Sequence, residues 1–211
     1  MGSINLICDN ISKSYSGKLI FKDLSFKLSA HQSLLITGRN GSGKSTLIKI
    51  IANVIRPTNG ALTIQENDSG IPDDNRFKKT GLLTPYLNLY DELTAAENLK
   101  FFFSLKSNST KDGVEKIYFL LNRAGLYEKR NELVRNYSSG MKQKLKLLFA
   151  VMNNPGILLL DEPRTNLDKA GIDLVYEMSE EQKTHGILIV ATNDDSDKSL
   201  CENSLNIEDY I

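Results

Sequence analysis

The spacing of apolar residues along the chain alternates between the two-residue period of strands and the longer period of helices. Ile4, Leu6 and Cys8 alternate with polar neighbours, and residues 24–28 repeat this pattern. The short apolar run at 33–37 stands directly before a glycine and is typical of a fully buried strand. The beginning of the chain is therefore predicted to be rich in strands and turns.

Helical spacing first appears after that buried strand. Apolar residues recur at helical intervals at Leu47, Ile50, Ile51, Val54 and Ile55. Pro57 lacks the backbone N–H that a helix interior needs, so we expect it to end this helix.

Residues 93–137 change character. Thr94 and Glu97 form a capping-box pattern that opens a helix running through 101–103. A polar break follows at 107–110, and a second helix is predicted through 114–121, ending near Gly125. Because this helical block interrupts alternating strands and helices, we interpret it as an inserted lobe.

The alternation returns after Gly140. Apolar spacing predicts a helix through 141–152, a strand at 157–160, a helix around 172–178 and a final strand at 187–190. Strands that alternate with helices favour a mostly parallel sheet covered on both sides. The twenty or so residues after the last predicted strand are too few for another domain.

Composition and charge narrow the possible functions. The 26 Lys and Arg residues balance 26 Asp and Glu residues, so a protein devoted to binding a nucleic-acid backbone is a poor first hypothesis. No apolar run approaches the ~20 residues of a membrane-spanning helix. Only Cys8 and Cys201 are cysteines, and no secretion signal is visible, which favours reduced thiols in the cytoplasm.

A glycine-rich segment carries the strongest chemical signal. Residues 38–46 match the pattern G-x-x-x-x-G-K-[ST] between a predicted strand and a predicted helix. Backbone N–H groups of such a loop converge on phosphate oxygens, the lysine reaches the outer phosphates, and the hydroxyl of Ser45 is expected to ligate Mg²⁺. The candidate nucleotide-binding residues of this phosphate loop are Gly38, Asn40, Gly41, Ser42, Gly43, Lys44, Ser45 and Thr46.

Two adjacent carboxylates form the second candidate element. Asp161 and Glu162 directly follow the apolar strand at 157–160. Alone, such a pair is most often the solvated start of a loop, but a phosphate loop in the same chain reverses that interpretation. Asp161 is then predicted to hold Mg²⁺ together with Ser45, and Glu162 to orient and polarise the attacking water as a catalytic residue.

These motifs and a third segment, Tyr-Ser-Ser-Gly-Met at 137–141, resemble the nucleotide-binding subunit of ABC transporters. The third segment is similar to the signature motif of that family, and residues 165–168 resemble its D-loop. The aromatic residue that stacks on adenine in the family has a counterpart in a turn near the beginning of the chain. The resemblance adds to the nucleotide site the residues Tyr15, Ser138, Ser139, Gly140 and Asp168.

Two positions depart from the pattern of that family. Pro85 occupies the place of a glutamine and cannot contact Mg²⁺ or water through a polar side-chain group, although Asn88 lies nearby. Asn193 stands where the family has a switch histidine, and its neutral amide can still donate a hydrogen bond to the γ-phosphate. We therefore expect ATP binding to be intact, and hydrolysis with Glu162 and Asn193 as the catalytic pair to be slow.

The resemblance also implies a fold. We expect an α/β P-loop NTPase with a mostly parallel core sheet, an N-terminal antiparallel β subdomain and an inserted α-helical lobe. A single ABC ATPase domain would span 1–211, with its core at 1–84 and 138–211 and its helical lobe at 85–137.

The function implied by the resemblance is binding and hydrolysis of ATP with Mg²⁺ by a head-to-tail homodimer or heterodimer. Such a dimer would power a separate transmembrane permease from the cytoplasmic face of the membrane, without binding nucleic acid. The short chain is most similar to ATPases of the haem-exporter type. A degenerate ABC subunit that binds ATP for regulation and a soluble, non-transport ABC ATPase remain alternatives, whereas a GTPase would need an Asn-Lys-x-Asp motif that we do not find.

Overall fold

Two β-sheets form the framework of the computed structural model, which describes residues 3–106 and 111–211. The polar break expected at 107–110 lies outside the described residues. The strands are β1 (Ile4–Tyr15), β2 (Lys18–Ser29), β3 (Ser33–Thr37), β4 (Asn59–Glu66), β5 (Ser69–Gly70), β6 (Thr80–Leu83), β7 (Ile157–Asp161), β8 (Ile187–Ala191) and β9 (Asn203–Asn206). The α-helices are α1 (Lys44–Ile51), α2 (Asp73–Lys79), α3 (Ala95–Lys106), α4 (Lys111–Arg123), α5 (Ser139–Val151) and α6 (Lys169–Lys183).

The first sheet is antiparallel and has the strand order β2-β1-β4-β5. The inward residues of β1 begin with Ile4, Leu6 and Cys8, as the alternation predicts, and all three are buried. A register shift between Cys8 and Ile11 interrupts the alternation of inward and outward side chains, so that Ile11, an odd-numbered residue, is also buried in the core. This sheet is the expected N-terminal antiparallel subdomain.

The second sheet is parallel and has the strand order β6-β7-β8-β3-β9. Every residue of β7 and β8 is buried, which explains why these strands are continuously apolar instead of alternating. The carboxyl ends of β7, β8 and β3 lie side by side at one edge of the sheet. The loops that follow these strands therefore meet, as is typical of ligand sites in open α/β sheets.

The helices α3 and α4 pack against each other and against α5, forming the inserted helical lobe. The predicted capping box opens α3: the Thr94 N–H donates to Glu97 Oε2 at 2.8 Å, and the Glu97 N–H donates to Thr94 Oγ1 at 3.2 Å. Apolar residues of all three helices share one core with β6, β7 and β8.

Two expectations about the ends of elements were wrong. The helix predicted to reach Pro57 ends at Ile51, because Asn53 adopts the left-handed conformation (φ 59°) and Val54 is 60% exposed. The strand at 187–190 is not the last one, because β9 adds a further parallel strand beside β3. A single buried residue in β9, Leu205, left too little alternation to predict that strand.

Among the described residues, we find no helix that is both long and apolar enough to cross a bilayer.

Candidate functional site

The phosphate loop joins the end of β3 to the first turn of α1, as the sequence predicts. Gly38 and Gly43 have φ values of 140° and 107°, which L side chains rarely adopt. A Cβ at Gly38 would lie 2.8 Å from the side chain of Ile207, and one at Gly43 would lie 2.6 Å from that of Ile20. Glycine is therefore required here for its conformation and for space.

The side chain of Lys44 is the positive centre of the site. It is only 6% exposed, and its Nζ donates to the carbonyl oxygens of Gly38 at 2.7 Å and Arg39 at 3.2 Å. Burial lowers the pKa of Lys44, and the nearby carboxylates of Glu162 and Asp161 oppose that shift. The ammonium thus lies within electrostatic reach of both acidic residues of the predicted site.

Asn193 supplies the third acceptor of Lys44. Its Oδ1 accepts a hydrogen bond from Lys44 Nζ at 2.5 Å, and its Nδ2 donates to Asn40 Oδ1. An ammonium group has three protons, so the three oxygens around Lys44 satisfy it fully. The loop after β8 is consequently fastened to the phosphate loop at two points.

Asp161 ends β7 and is almost completely buried, with 1% exposure. Its Oδ2 lies 3.5 Å from Thr84 Oγ1, whereas its Oδ1 is buried without a hydrogen-bond partner among the described residues. Burial raises the pKa of Asp161, while the Ser45 hydroxyl and the charge of Lys44 lower it. An unsatisfied buried carboxylate oxygen next to the Ser45 hydroxyl fits the oxygen ligands that Mg²⁺ prefers.

Glu162 follows Asp161 in the left-handed conformation, with φ of 50°. Its N–H donates to the Ala191 carbonyl at 2.8 Å, and its Oε2 lies 3.4 Å from Thr192 Oγ1. Burial raises the pKa of Glu162, the charge of Lys44 lowers it, and the charge of Asp161 raises it further. A carboxylate with a raised pKa is better matched to accepting a proton near neutral pH.

A cavity of about 450 Å³ opens over the phosphate loop. Its lining combines loop residues with a segment that follows β6 and with the catalytic candidate: Ile20, Asn40, Gly41, Gly43, Lys44, Ser45, Thr46, Lys49, Pro85, Tyr86 and Glu162. The structure therefore brings together the phosphate loop, Glu162 and Pro85, which are far apart in the sequence. The ammonium of Lys49 lies 4.5 Å from the ring centre of Tyr86 at this cavity.

The C-terminal 3-10 turn (Ile207–Tyr210) supports the phosphate loop from behind. Ile207 is fully buried, and its side chain lies within reach of any Cβ that Gly38 or Gly43 would carry. Glu208 pairs with Arg39, with 2.6 Å between Oε1 and Nε. This contact could not be predicted from local sequence, because its two partners are 169 positions apart in the chain.

The signature segment lies at the start of α5, as predicted. The Ser138 side chain caps that helix by accepting from the Met141 N–H at 3.2 Å. A Cβ at Gly140 would lie 2.8 Å from the Asn166 carbonyl oxygen, so the signature packs closely on the D-loop. Ser139 lines a separate cavity of about 220 Å³ with Pro85 and Asn166.

The signature residues are absent from the lining of the phosphate cavity described above. Two other sequence-predicted residues, Tyr15 and Asp168, are also absent from it. Tyr15 ends β1, is 47% exposed, and has the Lys13 ammonium 4.8 Å from its ring centre. Asp168 caps α6 by accepting from the Gly171 N–H at 2.8 Å, and it pairs with Lys144 at 3.1 Å.

Pro85 forms its hydrogen bond through its backbone carbonyl and not through its side chain. The Pro85 carbonyl accepts a hydrogen bond from Lys146 Nζ at 3.0 Å. Asn88 is exposed and does not line the phosphate cavity. The polar side chain that reaches Asp161 from this segment is instead Thr84, which sequence reasoning did not single out.

Sequence reasoning also missed three further residues near the site, Thr192, Arg164 and Asp197. Thr192 contacts Glu162, and Arg164 lies 3.4 Å from an oxygen of the buried Asp197. Only their positions in the sequence could have indicated a role in the site. Arg164 closely follows the acidic pair, and Thr192 immediately precedes Asn193.

The chain resembles known proteins over most of its length. The model of the ABC transporter family matches residues 21–165. The lipoprotein-releasing system ATP-binding protein LolD of Hydrogenovibrio crunogenus is 32% identical over 210 residues, covering 92% of this chain and 89% of that protein. The Nod factor export ATP-binding protein I of Rhizobium leguminosarum bv. viciae is 35% identical over 184 residues, covering 86% of this chain.

This chain spans only 58% of the Nod factor export protein. Among solved structures, the dimeric structure of MJ0796, a bacterial ABC transporter cassette, superposes with a TM-score of 0.85 at 25% identity. That alignment covers 95% of this chain and 93% of the cassette.

Proposed function

The chain belongs to the ABC transporter family, and from that membership we propose that it binds and hydrolyses ATP as the nucleotide-binding subunit of a membrane transporter. The observation that carries the proposal is that Lys44 and Glu162 line one cavity, while the buried carboxylate of Asp161 lies within electrostatic reach of Lys44. A phosphate-binding cation, a buried carboxylate and a second carboxylate with a raised pKa are the groups that phosphoryl transfer to water requires.

We propose that the phosphates of ATP occupy the cavity over the phosphate loop. The N–H groups of the loop and the start of α1 would bind the phosphate oxygens, and Lys44 would turn from Asn193 to the outer phosphates. The exposed ring of Tyr15 would stack on adenine outside that cavity.

The residues present also fit Mg²⁺. The Ser45 hydroxyl and the unsatisfied Asp161 Oδ1 would hold the ion, Asp161 through water. When bound, Mg²⁺ would neutralise charge on the phosphates. Glu162 would orient the attacking water and accept its proton, helped by its raised pKa.

The signature residues are proposed to act on the ATP of a second subunit. This proposal is supported by their absence from the phosphate cavity, among its described lining residues, and by the dimeric cassette to which the chain is similar. Ser138 and Gly140 of each copy would then close the site of the other, with Asp168 and the D-loop at the interface. We propose that the helical lobe at 85–137 links this dimer to a permease at the cytoplasmic face of the membrane.

We further propose that turnover is slow. Pro85 offers no polar side-chain group, and its backbone carbonyl accepts from Lys146, while Asn193 offers a neutral amide. A regulatory subunit that binds ATP with little turnover is the second candidate, and the bond between Asn193 and Lys44 favours it.

The direct test is steady-state phosphate release by the purified chain with and without Mg²⁺. We expect slow release that requires Mg²⁺ and is lost in Glu162→Gln, while Lys27→Ala, an exposed lysine of β2, behaves as the wild type. Release that is unchanged in Glu162→Gln would overturn the assignment of the site. Bound ATP with no release at all would favour the regulatory function.

A further inference from the structure

Thr192 lies between the catalytic candidate and a buried acid. It is 1% exposed and is the first residue after β8. Its Oγ1 lies 3.4 Å from Glu162 Oε2 and accepts a hydrogen bond from the Asp194 N–H at 3.0 Å. Because the backbone N–H occupies one side of the oxygen, the hydroxyl proton remains available for a carboxylate.

The buried acid is Asp197, which is also 1% exposed. Arg164 Nη1 lies 3.4 Å from Asp197 Oδ1 and 3.4 Å from Asp194 Oδ2. The guanidinium thus bridges the loop after β7 and the loop after β8. Asp197 Oδ2 has no hydrogen-bond partner among the described residues, so this carboxylate is incompletely satisfied.

The Thr192 hydroxyl has one proton, which it donates to Glu162 Oε2, and Asp197 is a second carboxylate near enough to be affected by the same hydroxyl. Burial raises the pKa of both Glu162 and Asp197, and the Thr192 hydroxyl lowers the pKa of both. The positive charge of Arg164 also stabilises the ionised form of Asp197, independently of the Thr192 hydroxyl. Arg164 therefore leaves the Thr192 proton free to bind Glu162.

We propose that Thr192 is a positioning residue for Glu162, and that Arg164 keeps it in this role by satisfying Asp197. This inference rests on the proposed function, because it assigns Glu162 the proton of the attacking water. A carboxylate free to rotate would spend less time in the orientation that water needs, so the hydroxyl contributes to the chemical step and not to nucleotide affinity.

The first experiment removes the hydroxyl while keeping the shape of the side chain. We expect Thr192→Val to lower kcat by roughly tenfold and to leave the Kd for ATP within about twofold, because a displaced catalytic group costs rate more than binding. Thr192→Ser keeps the hydroxyl and should restore most of kcat. Thr63→Val, a partly exposed position in β4, is the matched control and should be unchanged.

The second experiment tests the competition. Arg164→Gln should lower kcat several-fold, because the unneutralised Asp197 would draw the Thr192 proton away from Glu162. The double variant Arg164→Gln with Asp197→Asn removes both charges and should recover most of the lost rate. A double variant no faster than Arg164→Gln alone would overturn the role of this charge pair.

The third experiment separates positioning from general damage. In a Glu162→Gln background, where release is expected to be lost already, Thr192→Val should leave the Kd for ATP unchanged, since the hydroxyl acts on the carboxylate and not on nucleotide binding. Full kcat in Thr192→Val, an equal loss of kcat and affinity, or a weakened affinity in the double variant would each overturn the proposal. If Glu162→Gln itself retained full turnover, the proposed catalytic role of Glu162 would be refuted, and positioning by Thr192 with it.

Discussion

Asn193 Oδ1 accepts a hydrogen bond from Lys44 Nζ at 2.5 Å, so the residue expected in the place of the family's histidine holds the lysine of the phosphate loop. The same side chain donates to Asn40, at the other side of the loop. A neutral imidazole nitrogen could also accept from Lys44, but a protonated one could not. Asparagine has both a permanent acceptor and a permanent donor, and it uses both here.

The role of Asn193 is open to a direct substitution. We expect Asn193→His to raise turnover by up to about tenfold, because an imidazole can carry positive charge towards the γ-phosphate. A well-placed donor is worth ~3 kcal/mol in the transition state, the neutral amide of Asn193 already supplies about half of this, and ~1.4 kcal/mol is tenfold in rate. Steady-state phosphate release at one protein concentration measures this, with Asn122→His on the exposed face of α4 as the control. Fast wild-type turnover that is lost in Asn193→His would identify Asn193 as an adapted catalytic group.

Lys44→Ala should weaken ATP binding by about a hundredfold or more. The substitution removes the charge that neutralises the outer phosphates, and charge-assisted bonds are about twice as strong as neutral ones. Titration with a fluorescent ATP analogue would measure the Kd, with Lys27→Ala as the control for a lost surface charge. Affinity equal to the wild type would refute the phosphate-site assignment.

Glu162→Gln should trap a dimer. The amide cannot accept the proton of water, so ATP would remain intact between two copies of the chain. Size-exclusion chromatography with ATP and Mg²⁺ should shift this variant towards twice the monomer mass, whereas Glu162→Gln together with Lys44→Ala should stay at the monomer position. A single variant that remains monomeric at high concentration would speak against the sandwiched dimer.

Tyr15→Ala should weaken ATP binding by about tenfold, corresponding to the ~1.4 kcal/mol expected for stacking of one base on an aromatic ring. Tyr15→Phe keeps the ring and should bind as the wild type does. Phe77→Ala, on the exposed side of α2, removes a ring of similar exposure elsewhere and is the control. Equal affinities of Tyr15→Ala and wild type would place adenine elsewhere.

Gly81→Ala should destabilise the fold by about 1–3 kcal/mol, the usual cost of overpacking. A Cβ at Gly81 in β6 would lie 2.1 Å from the Ala150 carbonyl of α5, a backbone atom that cannot move aside cheaply. Gly70→Ala is the matched control, because a Cβ there meets nothing within 4 Å. Urea unfolding followed by circular dichroism would give both values, and equal midpoints would contradict the expected clash.

Local chemistry explains which elements were predictable. Some elements depend only on neighbours in sequence, and their local patterns were sufficient to predict them. These are the capping box at Thr94, the strand ending at Asp161 and the phosphate loop. The early end of α1 was missed because apolar spacing continues through Val54 and Ile55, while the left-handed Asn53 ends the helix. Strand β9 was missed because only Leu205 of its four residues is buried.

The parts of the candidate site that could not be predicted depend on long-range contacts. Thr84 reaches Asp161 across neighbouring strands, and Arg164 meets Asp197 between two loops. Nothing in the local sequence distinguishes these residues from ordinary polar loop residues. Only the register of the parallel sheet, which sets the loops side by side, brings them together.

The C-terminal turn that packs behind the phosphate loop has a consequence for handling the protein. Ile207 fills the space that Gly38 and Gly43 leave empty, and Glu208 neutralises Arg39. These two side chains are thus a structural part of the phosphate loop's surroundings. A fluorescent label or a substitution at Ile207 or Glu208 is therefore expected to disturb the loop itself, because both side chains contact it.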